Sequence, residues 1–194
     1  MATQHRHAPS PGNAHSPPDA DVPAMRMPHL EFVYRIVAEM DAEGISEIPS
    51  INGTSTTRMV LPILGGCVNG PRIQGVIVEK SGADWAEVVD PDKAFWKLDA
   101  KYTLRTNDDF FILVHATGVY RNGPDVPKEV ADKDTVSQDE VEYFTHLKFE
   151  APGKSPYSWM NGIVALGVMT MWEGKPVIDC YRLTNFPGQP VSRL

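Results

Sequence analysis

Three side chains in this sequence of 194 residues have the chemistry of an acid–base site that needs no cofactor: Asp84, Tyr102 and Asn161. Asp84 stands beside Trp85, just after the turn Lys80-Ser81-Gly82. There a carboxylate either caps the turn or sits at a pocket mouth, where burial raises its proton affinity and makes it a base. Tyr34, Trp96, Tyr102, Tyr143 and Trp159 fall by parity on the more apolar faces of their segments. Such a set lines an apolar pocket with a few polar tips, or else packs as core aromatics whose hydroxyls bond neighbouring backbone. Asn161 shares the face of Trp159, with Ile163, Ala165 and Gly167 beyond it. A buried amide there needs hydrogen-bond partners, and either the chain or a ligand carbonyl supplies them.

Other engines are missing. No glycine-rich nucleotide loop stands between a strand and a helix; Gly65 to Gly70 has the glycine spacing, but Pro71-Arg72 follows it. His29, His115 and His146 are scattered, with no close His pair and no C-x-x-C, so no metal is expected. No G-x-S-x-G elbow supports a serine hydrolase, and Cys67 has no base near it in sequence. The expected site therefore works with no cofactor.

The elements that must position these residues read as strands. In Phe95 to Thr106, Trp96, Leu98, Ala100, Tyr102 and Leu104 face one way, and Lys97, Asp99, Lys101, Thr103 and Arg105 the other. The turn Asn107-Asp108-Asp109 leads into Phe110 to Tyr120, so the two runs form a hairpin. Further strands are expected from His29 onward, at Thr57 to Leu64, Arg72 to Val78, Asp84 to Val89, Val141 to Phe149, Tyr157 to Met171 and Pro176 to Leu183. Ser137-Gln138-Asp139-Glu140 has the form of a capping box, so at most a short helix sits there. About eight to ten strands joined by Gly/Pro/Asp turns leave a sandwich or an antiparallel barrel, and the barrel is favoured. Near eight strands, its interior admits one small ligand.

Composition sets the surroundings. A net charge of −7 leaves no basic footprint for nucleic acid. Six of the 17 prolines lie in the first 28 residues, a stretch without aromatics, which reads as a flexible arm before a barrel domain at 29–194. The longest uncharged apolar run, Ile163 to Trp172, is short of the ~20 residues of a membrane helix. With no export signal, a cytoplasmic protein with two reduced thiols, Cys67 and Cys180, is expected. Apolar residues on both faces near Val164 to Trp172 make a homodimer a possible state.

The segments Leu30-Glu31-Phe32, Gly65 to Gly75, Gly82-Ala83-Asp84-Trp85, Leu98 to Thr106 and Tyr157 to Asn161 together resemble the domain of unknown function 3237 (DUF3237) family, also called uncharacterised protein family 0311. The resemblance runs from about Pro28 to Leu183 and implies a compact, calycin-like antiparallel β-barrel, without implying one reaction. It points to Asp84, Trp85, Asp99 and Tyr102, and also to Arg105, Glu150, Trp159 and Asn161, as positions following the family pattern. This sequence departs from that pattern at Lys101, at Asn107-Asp108-Asp109, at Thr145-His146 and at Gly162. The loss of two arginines from the pattern suggests a pocket cut for a less anionic or bulkier ligand. Parity and resemblance disagree on Asp99 and Arg105, which share a face opposite Tyr102; the apolar neighbours of Tyr102 place it inside.

The leading expectation is a cofactor-independent cyclase, isomerase or hydro-lyase acting on a small, mostly apolar carbonyl compound, of the kind found in specialised metabolism. Tyr102 and Asn161 would hold a carbonyl, Asp84 would act as base or acid, and Tyr34, Trp85, Trp96, Tyr143 and Trp159 would shape the cavity, with Arg105 and Glu150 as further ligand contacts. Two other readings stand beside it: a lipocalin-like binding protein with the same pocket and no turnover, and a structural subunit whose barrel is filled by its own side chains.

Overall fold

Alternation with period two runs through almost every segment of this chain, and a sheet that buries one face along its whole width satisfies it by closing on itself. The computed structural model describes residues 24–50 and 57–191, and they form ten antiparallel strands. These are β1 (His29–Met40), β2 (Ser46–Pro49), β3 (Thr57–Asn69), β4 (Gln74–Ile77) and β5 (Gly82–Asp90), then β6 (Phe95–Thr106), β7 (Phe111–Asn122), β8 (Val141–Glu150), β9 (Ala165–Trp172) and β10 (Lys175–Thr184). From β6 to β10 each strand pairs with the next, β10 pairs with β1, and β1 pairs with β3. Both β4 and β5 lie between β3 and β6, end to end, and β2 continues the line of β1 along β3. Ten strands thus fill eight places in a closed barrel. Most of the arm expected at 1–28 lies outside the described residues.

The expected hairpin is β6–β7. Asp109 takes a left-handed φ of 65°, and its N–H donates to the Thr106 carbonyl at 2.9 Å. Tyr102 faces inward with Leu98, Ala100 and Leu104, while Asp99 and Arg105 face out, as the apolar period indicated. The expected strand from Tyr157 to Met171 is broken. Ser158–Gly162 forms a 3-10 turn and the strand starts only at Ala165. The capping box at Ser137 makes one of its bonds, Ser137 N–H to the Glu140 carboxylate at 3.2 Å, but it closes a turn; the short helix of this region is 3-10, at Lys128–Asp132. No helix of the described residues is long and apolar enough to cross a membrane.

Two hydrophobic clusters fill the barrel. The larger surrounds Tyr34, Ile36, Leu104, Ile112, Val114 and Phe149. The smaller, around Ala86, Leu98, Tyr120 and Val141, is closed by Val130 and Val136 from the loop between β7 and β8. The opposite end is plugged by the segment 155–162, which buries Tyr157, Trp159 and Met160. Tyr157 donates its hydroxyl to Asp108 at 2.6 Å and ties this plug to the β6–β7 turn.

Strands β7 and β8 approach so closely at Gly118 that an added Cβ would lie 1.9 Å from the Phe144 carbonyl oxygen. Gly118→Ala therefore forces backbone apart rather than rotating a side chain, and a loss of about 2–3 kcal/mol is expected. Urea unfolding checks this: the midpoint should fall at unchanged m-value, and an unmoved midpoint refutes the close approach.

Candidate functional site

A cavity of about 60 Å3 lies at the seam of the two clusters. Its wall is almost wholly apolar, from Ile36 on β1 to Ile178 on β10, and its polar atoms come from Asp84, Tyr102, Tyr143 and Thr145. Met40, Asp84, Ala100, Tyr143 and Met169 are the half-buried members of the lining, whereas Tyr102 is buried.

Asp84 is inward because of how β5 meets its neighbours. It pairs with Ala100 on β6 and Leu61 on β3, and the ladder between β5 and β6 holds one register on both sides of Asp84–Glu87 but lapses at Trp85 and Ala86. At that lapse the Asp84 carboxylate accepts the Asp99 N–H at 2.9 Å, and the Trp85 carbonyl accepts from the Arg58 guanidinium at 2.8 Å. Two of the backbone groups at the opened ladder, the Asp99 N–H and the Trp85 carbonyl, are thereby satisfied. Burial pushes the Asp84 carboxyl up to about 6; the Asp99 N–H pulls it down, and the Asp99 carboxylate pushes it up again. That second carboxylate lies on the outer face, where it meets His115 Nε2 at 2.7 Å.

The phenols are held as donors. Burial raises Tyr102 and Tyr143 above the ordinary tyrosine range, so both keep their protons at any physiological pH. Tyr143 stands edge-on to Tyr120 at 5.1 Å, and Tyr120 in turn packs on Trp96 at 5.7 Å. Trp96 thus belongs to the cluster that roofs the cavity and shapes it from one layer away. Tyr34 is fully buried on the inner face, beyond the lining and next to Tyr102 and Cys180.

Asn161 does not line this cavity. Its side chain accepts the Ala151 N–H at 2.7 Å and donates to the Ala151 carbonyl at 2.9 Å, a two-way clamp that holds the plug to the end of β8. Trp159 packs in the same plug, with the Arg72 guanidinium 4.1 Å over its ring, and lines a separate cleft with Glu31, Phe32 and Arg182. Both were placed by parity on a strand that is in fact a 3-10 turn, where period two no longer tells inside from outside. Trp85 alternates with Asp84 and pairs outward with Val60. Arg105 and Glu150 are exposed on the outer face. Thr145 escaped the sequence reading although it shares the inward parity of Tyr143. It faces Gly167 across β8–β9, where a Cβ would lie 2.4 Å from its hydroxyl oxygen.

A model of the family described as protein of unknown function (DUF3237) matches residues 28–183. The chain belongs to the DUF3237 family. A UPF0311 protein of Rhodopseudomonas palustris is 29% identical over 160 residues, which span 80% of this chain and 98% of that protein. Among solved structures, a β-barrel-like protein of Acinetobacter baumannii is similar with a TM-score of 0.69 at 24% identity, covering 83% of this chain and 99% of that one. A structure described as an enzyme from Penicillium herquei has a TM-score of 0.59 at 15% identity, covering 84% and 99%. These likenesses establish the barrel as the shared fold of the DUF3237 chain and its neighbours.

Because Asn161 serves the plug, Asn161→Ala is expected to cost about 1–2 kcal/mol through the two bonds lost to Ala151. Small-molecule binding in the cavity should survive the change. Thermal melting together with a ligand titration checks both halves, and lost binding at an unchanged melting point would return Asn161 to the site.

Proposed function

We propose that this DUF3237 protein is a cofactor-independent catalyst that moves a proton within a small, mostly apolar carbonyl compound, as a cyclase, isomerase or hydro-lyase does. The observation that carries the reading is Asp84: one carboxyl group set into an otherwise apolar cavity, its proton affinity raised to about 6, facing the same space as two protonated phenols. A base poised near neutrality both takes a proton from carbon or oxygen and gives it back, which a carboxyl at its ordinary value does poorly. Phenols in a dry wall stabilise charge that develops on an oxygen. No lysine or arginine lines the cavity, so an anionic substrate meets only the Asp84 charge and is disfavoured.

Size limits what enters. A cavity of about 150 Å3 admits benzene in another protein, and about 60 Å3 is well below that. The reacting end of the substrate therefore goes inside, and a larger body stays at the half-buried rim formed by Met40, Tyr143 and Met169. A carrier role of the lipocalin kind is the second reading, favoured by the nearly unbroken apolar wall.

Exchange of α-protons of small ketones into deuterated water, followed by proton NMR, separates the two. A catalyst accelerates exchange with a rate that rises through pH about 6; a carrier binds the ketone without accelerating exchange. Asp84→Asn should lower the rate 10²-fold or more, and an undiminished rate in that variant would remove Asp84 from the chemistry.

Stability has its own pH signature. The folded-state value of Asp84 lies above its ordinary 3.8, so the folded chain binds this proton more tightly than the unfolded one. Its contribution is greatest below pH ~4 and is lost as pH rises to about 6, by about 2–3 kcal/mol for a shift of this size. Asp84→Asn should recover most of that at pH 7 and flatten the stability curve between pH 4 and 6. Chemical denaturation at pH 4 and pH 7 reads the difference, and an equal effect at the two pH values contradicts the buried carboxyl.

A further inference from the structure

The interior holds an oxygen that the proposed chemistry has not used. Among the described residues, two buried side-chain oxygens have no hydrogen-bond partner, Tyr34 Oη and Ser158 Oγ. Ser158 sits in the plug, away from the cavity. Tyr34 precedes Ile36 on the same inward face of β1, and Ile36 lines the cavity. The Tyr34 ring is pinned edge-on against Phe149 at 6.1 Å and is completely buried. Tyr102, on the cavity wall, and Cys180, its register partner on β10, are near enough to hold the proton on its hydroxyl, yet neither stands in hydrogen-bond geometry with it. A sealed hydroxyl without a partner is costly, and native folds keep few of them.

We infer that Tyr34 is a positioning residue that acts through Tyr102: its hydroxyl donates to Tyr102 Oη when Tyr102 turns its own O–H to the carbonyl oxygen of an enolisable ketone or enone. This rests on the proton-transfer reading of the cavity and extends it by naming the oxygen-binding end of the substrate. Both phenols are held protonated by burial, so each is a donor first, and two in series can end only on an acceptor. A carboxylate substrate would put its charge in a cavity that already contains Asp84, and a hydrocarbon would leave the Tyr102 O–H without an acceptor. Cys180 is pushed up to about 12, chiefly by burial, so it stays a thiol and is no nucleophile here.

The step balances with no added reagent. The Asp84 carboxylate takes a proton from the carbon next to the carbonyl, the C–H pair becomes the new C=C bond, and the carbonyl π pair moves onto the oxygen held by Tyr102. Return of the proton from Asp84 to the α-carbon, or to the γ-carbon of the dienolate that an enone forms, restores the carbonyl and the carboxylate.

The test uses 2-butanone, whose carbonyl end the cavity admits, with the full chain in deuterated water. Wild type, Tyr34→Phe, Tyr102→Phe and the double variant are compared for α-proton exchange and for melting temperature. Tyr34→Phe should melt several degrees higher, since it removes an unpartnered hydroxyl, yet exchange about tenfold more slowly. Tyr102→Phe should slow exchange further, and the double variant should match Tyr102→Phe, because Tyr34 has no route to the substrate except through it. A lower melting temperature for Tyr34→Phe, wild-type exchange in that variant, or an additive loss in the double variant each overturns the relay while leaving Asp84 in place. Wild-type exchange no faster than buffer, by contrast, overturns the proton-transfer reading itself and the relay with it.

Discussion

Closure of the sheet through the β1–β3 pairing is the constraint on which the other features depend. Once β10, β1 and β3 are joined, every strand commits one face to an interior of fixed width, and a residue's chemistry is decided by parity before any contact is considered. Acid and base groups are accordingly sorted. Outside, Arg35 and Asp179 meet as register partners at 2.6 Å, whereas Arg182, buried on β10, is neutralised by donating to Glu31 at 2.8 Å. Inside the cavity, only Asp84 among the carboxylates is retained. Exposed pairs such as Arg35–Asp179 are worth little in stability, whereas one carboxyl enclosed by aliphatic carbon changes its proton affinity by two powers of ten.

The place where that carboxyl enters is also where the ladder fails. Between Asp84 and Glu87 the β5–β6 register is kept while its regular pairs are absent, and the freed Asp99 N–H turns to the Asp84 side chain. A buried carboxyl without that N–H would sit higher still; with several such donors it would behave as an ordinary surface aspartate. One donor leaves it between those limits, which is where a group that must both accept and return a proton belongs. The lapse in pairing and the raised proton affinity are thus two aspects of one arrangement, and Arg58 completes it by taking the carbonyl that β6 no longer reaches.

Much of this was legible from residue types in order. The alternation of Trp96, Leu98, Ala100, Tyr102 and Leu104 against Lys97, Asp99, Lys101, Thr103 and Arg105 carries real burial information, because a long regular strand has no freedom to reassign its faces. Asp84 was legible for a different reason, since a carboxylate just after a glycine turn stands near a strand end, close to an opening. Asn161 and Trp159 misled because period two holds only while the chain is extended. The stretch 158–162 coils into a 3-10 turn, and what coils it is Asn161 reaching back ten residues to both backbone groups of Ala151, a contact no local pattern announces. Trp85, Arg105 and Glu150 were carried by resemblance to family motifs, and such motifs record the turns and outer-face ladders of a fold as readily as its pocket. Thr145 was missed because a threonine on a strand reads as ordinary β-sheet composition; only the absence of a Cβ at Gly167 leaves room for its hydroxyl.

The cavity's small size and its place between two clusters belong together. The lower cluster is sealed by the plug and pinned through Tyr157 to the β6–β7 turn, so its width cannot change without moving strands. The upper cluster is closed by a loop that contributes Val130 and Val136 and has little regular structure of its own. Between them the rim carries Met40 and Met169, whose unbranched side chains change shape at low cost. A barrel built this way is rigid around Tyr34 and Tyr102 and compliant at the rim that Met40 and Met169 form. The asymmetry follows from which end is plugged by packed aromatics and which by a loop, and the proposed chemistry uses it by setting a carbonyl toward the plug and the larger part of its substrate toward the rim.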